Sequence, residues 1–402
     1  MKNLKSYLSV FIILIGLSAV GQETNSPKFG KGLFNLVGKD STWTMKVGAR
    51  MQFLATNAWD MDANGDFGKA ETSFLVRRAR LKFGGYAFSP KLKYKLELGL
   101  SNRDIGGASE FTNNAPRYIL DAVVKWNFYK NFTLWAGQTK LPGNRERVIS
   151  SGNLQFVDRS KLNSNFNIDR DMGLQLRHHF NLSDKFLVRD MFSISQGEGR
   201  NITTGNLGGH QYTARVEILP FGKFEGKGDY VASDLKREKS PKLAIGATYD
   251  WNDKAVKDKS NQGKYMLNDS EEGFFETNIN TVFVDAMFKY NGISFMGEYA
   301  NRDASNAIAT DIDGTPTGSK VKKGNSLNLQ AGYLLKSNWE LAGRYTNVKF
   351  NGEGMSTNYY TLGTSKYISG HKLKVQSDIT YADETGNKSG GLEYRLQFDI
   401  HF

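Results

Sequence analysis

The chain has 402 residues, no cysteine and a formal net charge of +12. A mean hydropathy of -0.49 excludes a bundle of transmembrane helices, each of which needs about 20 mostly apolar residues. The lack of cysteine excludes a disulfide framework, a thiolate metal site and a cysteine nucleophile. With 42 glycines, 7 prolines and 12% aromatic residues, the composition suits strands joined by tight turns.

The first element is a targeting segment. Lys2 and Lys5 supply a positive start, Leu8 to Leu17 an apolar core, and Ala19-Val20-Gly21 a small-x-small cleavage site. Residues 1–21 therefore read as a secretory signal and 22–41 as a periplasmic N-terminal segment. Beyond them, apolar residues recur with a period of two, the signature of strands whose two faces meet different surroundings. Sixteen such stretches begin near residues 42, 72, 91, 117, 131, 170, 185, 210, 241, 279, 292, 325, 338, 357, 371 and 391. The last is the clearest: Leu392, Tyr394, Leu396, Phe398, Ile400 and Phe402 alternate with Glu393, Arg395, Gln397, Asp399 and His401. Most reach the roughly 9 to 11 residues that a tilted membrane-spanning strand requires.

The connections alternate too. Short turns at 89–90, 129–130, 181–184, 291, 336–337 and 369–370 separate longer polar loops, the asymmetry of a bacterial outer-membrane barrel with short periplasmic turns. The 220–240 connection breaks this rhythm, being long, rich in Gly and Lys, and on the periplasmic side. Tyr118, Trp126, Phe128, Phe132, Trp251, Phe288, Tyr290, Phe295 and Trp339 stand at strand ends like an interfacial girdle. The fold class expected is all-β: a 16-stranded antiparallel transmembrane barrel over residues 42–402, since only helices and closed barrels span lipid. A secreted soluble β-sandwich that binds a ligand alternates in the same way and is the rival reading.

If apolar positions face lipid, the intervening ones face the lumen. In the first three strands these are Lys46, Arg50, Arg78, Arg80, Lys82, Lys91, Lys93, Lys95 and Glu97, a cationic wall that focuses potential and favours anions. A tight turn at Ser89-Pro90 sets Lys82 opposite Glu97 and leaves the other cations without an acid in register. Asp121, Asp285, Glu298, Glu340, Asp378, Glu393 and Asp399 are candidates for balancing that charge from elsewhere in the lumen. The longest loop, about 140–169, carries Arg145, Arg147, Arg159 and Lys161, with Arg170 at its end. Its Val148, Ile149, Leu154, Phe156 and Val157 are apolar without cause if it points into solvent. Folded inward it would bury them and bring guanidinium groups, suited to oxyanions, to a constriction.

Three segments carry a family resemblance: FLVRRARLKFGGYAFSPKLKYKLELGLS (74–101), WAGQTKLPGNRERVISSGNLQFVDRS (135–160) and the aromatic C-terminus. They resemble the phosphate-selective porin O and P family. The resemblance implies a homotrimeric outer-membrane channel of a Gram-negative bacterium, with a loop folded into each pore, Arg78, Arg80 and Lys82 among the lumen cations, and small anionic solutes such as phosphate. Phe402, with apolar residues at every second position before it, looks like the recognition signal of the barrel assembly machinery, and no motif points to a cofactor or to nucleic acid.

Other constellations are weaker. Asp60, Asp62, Asn64, Asp66 and Glu71 have the spacing of a calcium loop but lie between strands, where an Asp/Asn/Gly turn is the simpler reading. The five histidines have no metal spacing, and no serine is marked as activated, which leaves a barrel hydrolase the least favoured alternative.

Overall fold

A computed structural model of the chain describes residues 27–402 except 63, 272, 353–355 and 386–389; the expected signal, 1–21, lies outside the described residues. Sixteen antiparallel strands form the wall. The first eight are β1 (Thr44–Met61), β2 (Glu71–Ala87), β3 (Ser89–Gly99), β4 (Ile119–Tyr129), β5 (Phe132–Lys140), β6 (Arg170–Asn181), β7 (Leu187–Ser195) and β8 (Gln211–Leu219). The second eight are β9 (Lys242–Ala255), β10 (Thr277–Tyr290), β11 (Ile293–Ala304), β12 (Gly324–Leu334), β13 (Trp339–Phe350), β14 (Ser356–Tyr367), β15 (Leu373–Thr385) and β16 (Gly390–His401). Each pairs with its neighbours in sequence, and β16 pairs with β1 from Arg50↔His401 to Met61↔Gly390, so the sheet closes without a free edge. A short strand, Phe34–Val37, lies antiparallel to Thr44–Val47 at the foot of β1.

Side-chain alternation is inverted relative to a soluble protein. Phe53, Val76, Val124, Leu174, Phe192, Leu362 and Phe398 are exposed on the outside, while their polar neighbours Arg50, Gln52, Gln175, Ser193, Thr361 and Gln397 are buried inside. A water-soluble sandwich cannot present such a face, because leaving an apolar side chain in water forgoes about 1.5–3 kcal/mol each. Trp126, Phe128, Tyr290, Phe295 and Trp339 are exposed among the girdle aromatics.

The tight turns follow from local chemistry. Asn291-Gly292 takes positive φ at both residues, the geometry of a two-residue hairpin whose twist matches its strands. Phe88 alone joins β2 to β3 with φ +64°, and the register beyond it sets Lys82 opposite Glu97 as the sequence predicts. In the first external loop the Asp62 carboxylate accepts from the backbone N–H of Asn64 and Asp66, at 2.9 and 3.0 Å, which is an Asx turn.

Candidate functional site: the barrel interior

Residues 141–169, between β5 and β6, fold into the barrel. Two short helical turns, α1 (Arg145–Val148) and α2 (Lys161–Phe166), give this segment shape, and the Ser160 hydroxyl caps α2 by accepting from the Asn163 N–H. Ile149, Leu154, Phe156, Val157, Leu162 and Phe166 are all buried. Ile149 and Leu154 join one apolar cluster with Leu187, Leu219 and Met287; Leu162 and Phe166 join another with Phe283, Ala300 and Val348. The apolar residues of the loop thus have a place to go, which a solvent-facing lid does not provide.

Polar contacts fix the loop to one side of the wall. Glu298 accepts from the Glu146 N–H at 2.6 Å and from Asn144 Nδ2 at 3.2 Å; Asp285 accepts from Arg145 Nε at 2.7 Å. Glu340 accepts from Gln155 Nε2 at 2.8 Å, and Asp378 accepts from the Val157 N–H at 3.1 Å. Lys374 Nζ donates to the Leu154 carbonyl, and Arg302 to that of Phe166. The carboxylates of β10, β11, β13 and β15 are therefore covered by the loop and spent on holding it. In β16, Asp399 is likewise engaged, in a two-pronged pair with Arg50.

What stays open is a cavity of about 340 Å³ between the loop and the wall of β2–β6. Thirteen cationic side chains and four carboxylates, Glu97, Asp104, Asp121 and Asp169, line it. A second cavity of about 520 Å³ continues towards the periplasmic end and shares Trp135, Val148 and Arg177 with the first.

The sequence matches the profile of the family "Phosphate-selective porin O and P" over residues 51–400. The chain belongs to that family. It is 25% identical over 369 residues to an uncharacterized protein of Aquifex aeolicus, covering 84% of this chain and 83% of that one. Among solved structures it is similar to the anion-selective porin from Comamonas acidovorans, with TM-score 0.54 and 12% identity over 90% of this chain and 100% of that one. It is also similar to Salmonella typhi OmpF in complex with daunomycin, with TM-score 0.55 and 13% identity over 91% and 99% of the two chains. The trimer form of Vibrio cholerae OmpT gives TM-score 0.52 and 12% identity over 89% and 99%. The protein is an outer-membrane porin channel.

Of the cations singled out in the sequence, the first of the porin's two cavities gathers Arg78, Arg80, Lys82, Lys95, Arg147, Arg159 and Arg170. Six lie elsewhere. Lys46, Lys91 and Lys93 are exposed near the periplasmic strand ends. Arg50 is sealed against Asp399, and Arg145 is fully buried between Asp285 and Glu217. Lys161 lies over the Tyr359 ring, in a small cleft with Arg344 and Arg395. Arg145 faces the wall because the loop lies flat on β8–β11, which turns α1 towards Asp285 rather than towards the opening.

Pairing departs from simple register. Arg80 binds Asp104 at 2.6 and 2.7 Å and Glu97 at 3.1 Å; Lys95 binds Glu97 and Asp121, each at 2.8 Å. Arg78 reaches Asp158 of the loop at 2.9 Å. The expectation that these cations lack acids fails because diagonal neighbours and loops supply the carboxylates. Asp158 is half-buried, which alone would raise its pKa, but Arg78 and Arg77 outweigh that and hold it below the ordinary carboxylate range.

A different set of lining cations has no carboxylate partner among the described residues. Arg159 donates to the carbonyls of Glu146 and Ile149, Lys140 to those of Arg147, Val148 and Ile149, and Arg200 to those of Ile119 and Asp104. Lys125 and Arg177 lie over the Trp135 ring, at 3.5 and 3.9 Å from its centroid. Carbonyls and rings orient a cation without cancelling its charge.

Sequence reading passed over Arg77, Arg103, Lys125, Lys140, Arg177 and Arg200. Lys125 alternates with Val124 and Trp126, and Arg177 with Leu176, so the same periodicity carried into β4 and β6 finds both. Arg77 is different: it is the extra residue of a β-bulge opposite Gln52/Phe53, which turns it inward beside Arg78 so that both reach Asp158. Strict alternation points it at lipid.

The long 220–241 connection also enters the barrel, from the end that carries the short turns. Ala232 N–H donates to the Asn153 carbonyl of the loop at 2.9 Å, and Arg145 donates to the Asp229 carbonyl at 3.1 Å, so the two inward segments meet. Ser233 and Lys289 tie it to β13 and β10: Ser233 Oγ donates to Glu340 at 2.6 Å, and Lys289 Nζ donates to the carbonyls of Val231 and Ser233. Its length, an exception to the short-turn rule, is what lets it occupy the lumen beneath the loop.

Proposed function

We propose that this porin is a passive channel in the outer membrane of a Gram-negative bacterium and that it favours small anions, phosphate among them. The observation that carries the reading is the cavity lining of thirteen cations to four carboxylates, on a wall left open while the acidic wall is covered. Loop 141–169 acts as the constriction, and Arg78, Arg80, Lys82, Lys95, Arg147, Arg159 and Arg170 form the anion pathway, in which Arg159 and its carboxylate-free neighbours offer the charge an anion can use. The channel works without catalysis. A homotrimer is proposed by analogy with the trimer form of Vibrio cholerae OmpT, and insertion through the barrel assembly machinery from the alternating apolar residues of β16.

The test is the reversal potential of the purified protein in a planar bilayer across a potassium chloride gradient. Chloride selectivity that falls on neutralising Arg78, Arg80 and Lys82, and current reduced by added phosphate, are the expected results. Cation preference or no preference overturns the anion reading and leaves the barrel standing.

A further inference from the structure

The two cavities differ in chemistry. The upper one is lined mostly by charged groups, whereas the lower one adds Leu187, Met191, Phe224 and Tyr230 to the shared Trp135 and Val148, and its charged residues, Arg189, Lys223, Lys227 and Asp229 besides the shared Arg177, are fewer. Where the cavities join, Trp135 of β5 stands directly opposite Lys125 of β4 in register. Arg177 of β6 covers the ring as well, its guanidinium shared with Gln175 Oε1 at 2.7 Å and Met191 Sδ at 3.3 Å. Lys125 and Arg177 therefore stand at the threshold between a charged and an apolar chamber, with no carboxylate on either among the described residues. The apolar side is not an accident of one strand. It is assembled from β5, β7, the inward loop and the periplasmic 220–241 segment, which supplies Phe224 and Tyr230.

An inorganic oxyanion gains nothing from such a wall, since apolar groups cannot replace its hydration. An anion with an apolar body uses both parts: its head meets Lys125 and Arg177 while its body leaves water against Val148 and the rings below. We propose that the junction at Trp135 is a binding subsite for organic anions that carry one anionic head and an apolar body. Lys125 and Arg177 hold the head, and the chamber beneath takes the body. This rests on the anion-channel reading and narrows its solute class.

Phenyl phosphate and inorganic phosphate share a head and differ in the body, so they are the probes. Each is added to the porin in a planar bilayer while chloride current and chloride selectivity are recorded. Phenyl phosphate is expected to halve the current at about tenfold lower concentration than inorganic phosphate, the advantage of partly burying one ring. Val148→Thr, which keeps the shape and replaces a methyl by a hydroxyl, is expected to shrink that gap to about threefold with chloride selectivity unchanged. Val148→Ile is expected to keep the gap. Equal potency of the two probes with chloride selectivity intact overturns the subsite and spares the anion channel. A gap that Val148→Thr leaves intact overturns the assignment to this junction. Loss of chloride selectivity in the unaltered porin overturns the channel reading and the subsite with it.

Discussion

The two halves of the barrel interior use charge in opposite ways. Along β10–β16, Asp285, Glu298, Glu340, Asp378 and Asp399 are no more than 2% exposed, each held by donors from the loop or from the wall. Along β2–β6 the cations face a cavity, and only some of them have acids. Both walls carry charge in the sequence, so a count of lumen residues would call the channel mixed. Covering one wall with a folded loop is what makes the remaining passage cationic. Charge in a pore is set by what stays uncovered.

Removing the cover should produce the largest change. Replacing 144–166 by a short glycine linker is expected to raise single-channel conductance several-fold and to abolish chloride selectivity, since the acidic wall then faces the passage; reversal potentials measure this. Next, Asp285→Asn removes the negative charge, and one of the two acceptor oxygens, that Arg145 and Arg215 share, both fully buried. An uncompensated buried pair costs on the order of 3 kcal/mol, and a lower unfolding temperature, read by heat-modifiable gel mobility, is expected together with noisier current from a loosened loop.

Within the cationic wall the pairing makes a sharper distinction. Arg80→Gln leaves the buried Asp104 without its partner and takes one of three cations from Glu97, and is expected to lower both unfolding temperature and anion selectivity. Lys125→Gln leaves no carboxylate orphaned, so selectivity is expected to fall while the unfolding temperature stays within a few degrees; equal losses of stability in the two variants would erase the distinction.

The smallest effect lies outside the membrane. In the external loop 196–210, burial and then the nearby Asp171 push the Glu198 carboxyl up to about 7 from an ordinary 4.5. The folded loop therefore prefers the proton. Its stability is greatest below the ordinary value, falls as pH rises, and levels off above about pH 7. Hydrogen exchange at Leu207 and Gly208, whose N–H groups donate to Glu198, is expected to show protection that declines from about pH 5 to 8, after correction for intrinsic rates. Glu198→Gln keeps the acceptor oxygen and is expected to remove the dependence.

Much of this was legible in the residues. The sixteen stretches of alternation begin within about two residues of the strands, because a wall between lipid and polar lumen imposes a period of two wherever no bulge interrupts it. The Lys82↔Glu97 register was legible because a tight hairpin leaves one pairing. The apolar residues of 141–169 announced that the loop is buried but not which way its arginines turn. Arg145 sits against Asp285, 140 positions away, and no local pattern relates the two. The bulge at Arg77 and the inward course of 220–241 were hidden for the same reason.

The sequence by itself determined the barrel, its strand number, and which side chains of the regular strand stretches stand inward, since these depend on periodicity and turn chemistry within a few residues. Only the tertiary structure decided which inward charges remain in contact with a passing solute. That outcome depends on which wall the loop covers and which distant carboxylate each cation meets, and such contacts form between residues that the chain keeps a hundred positions or more apart.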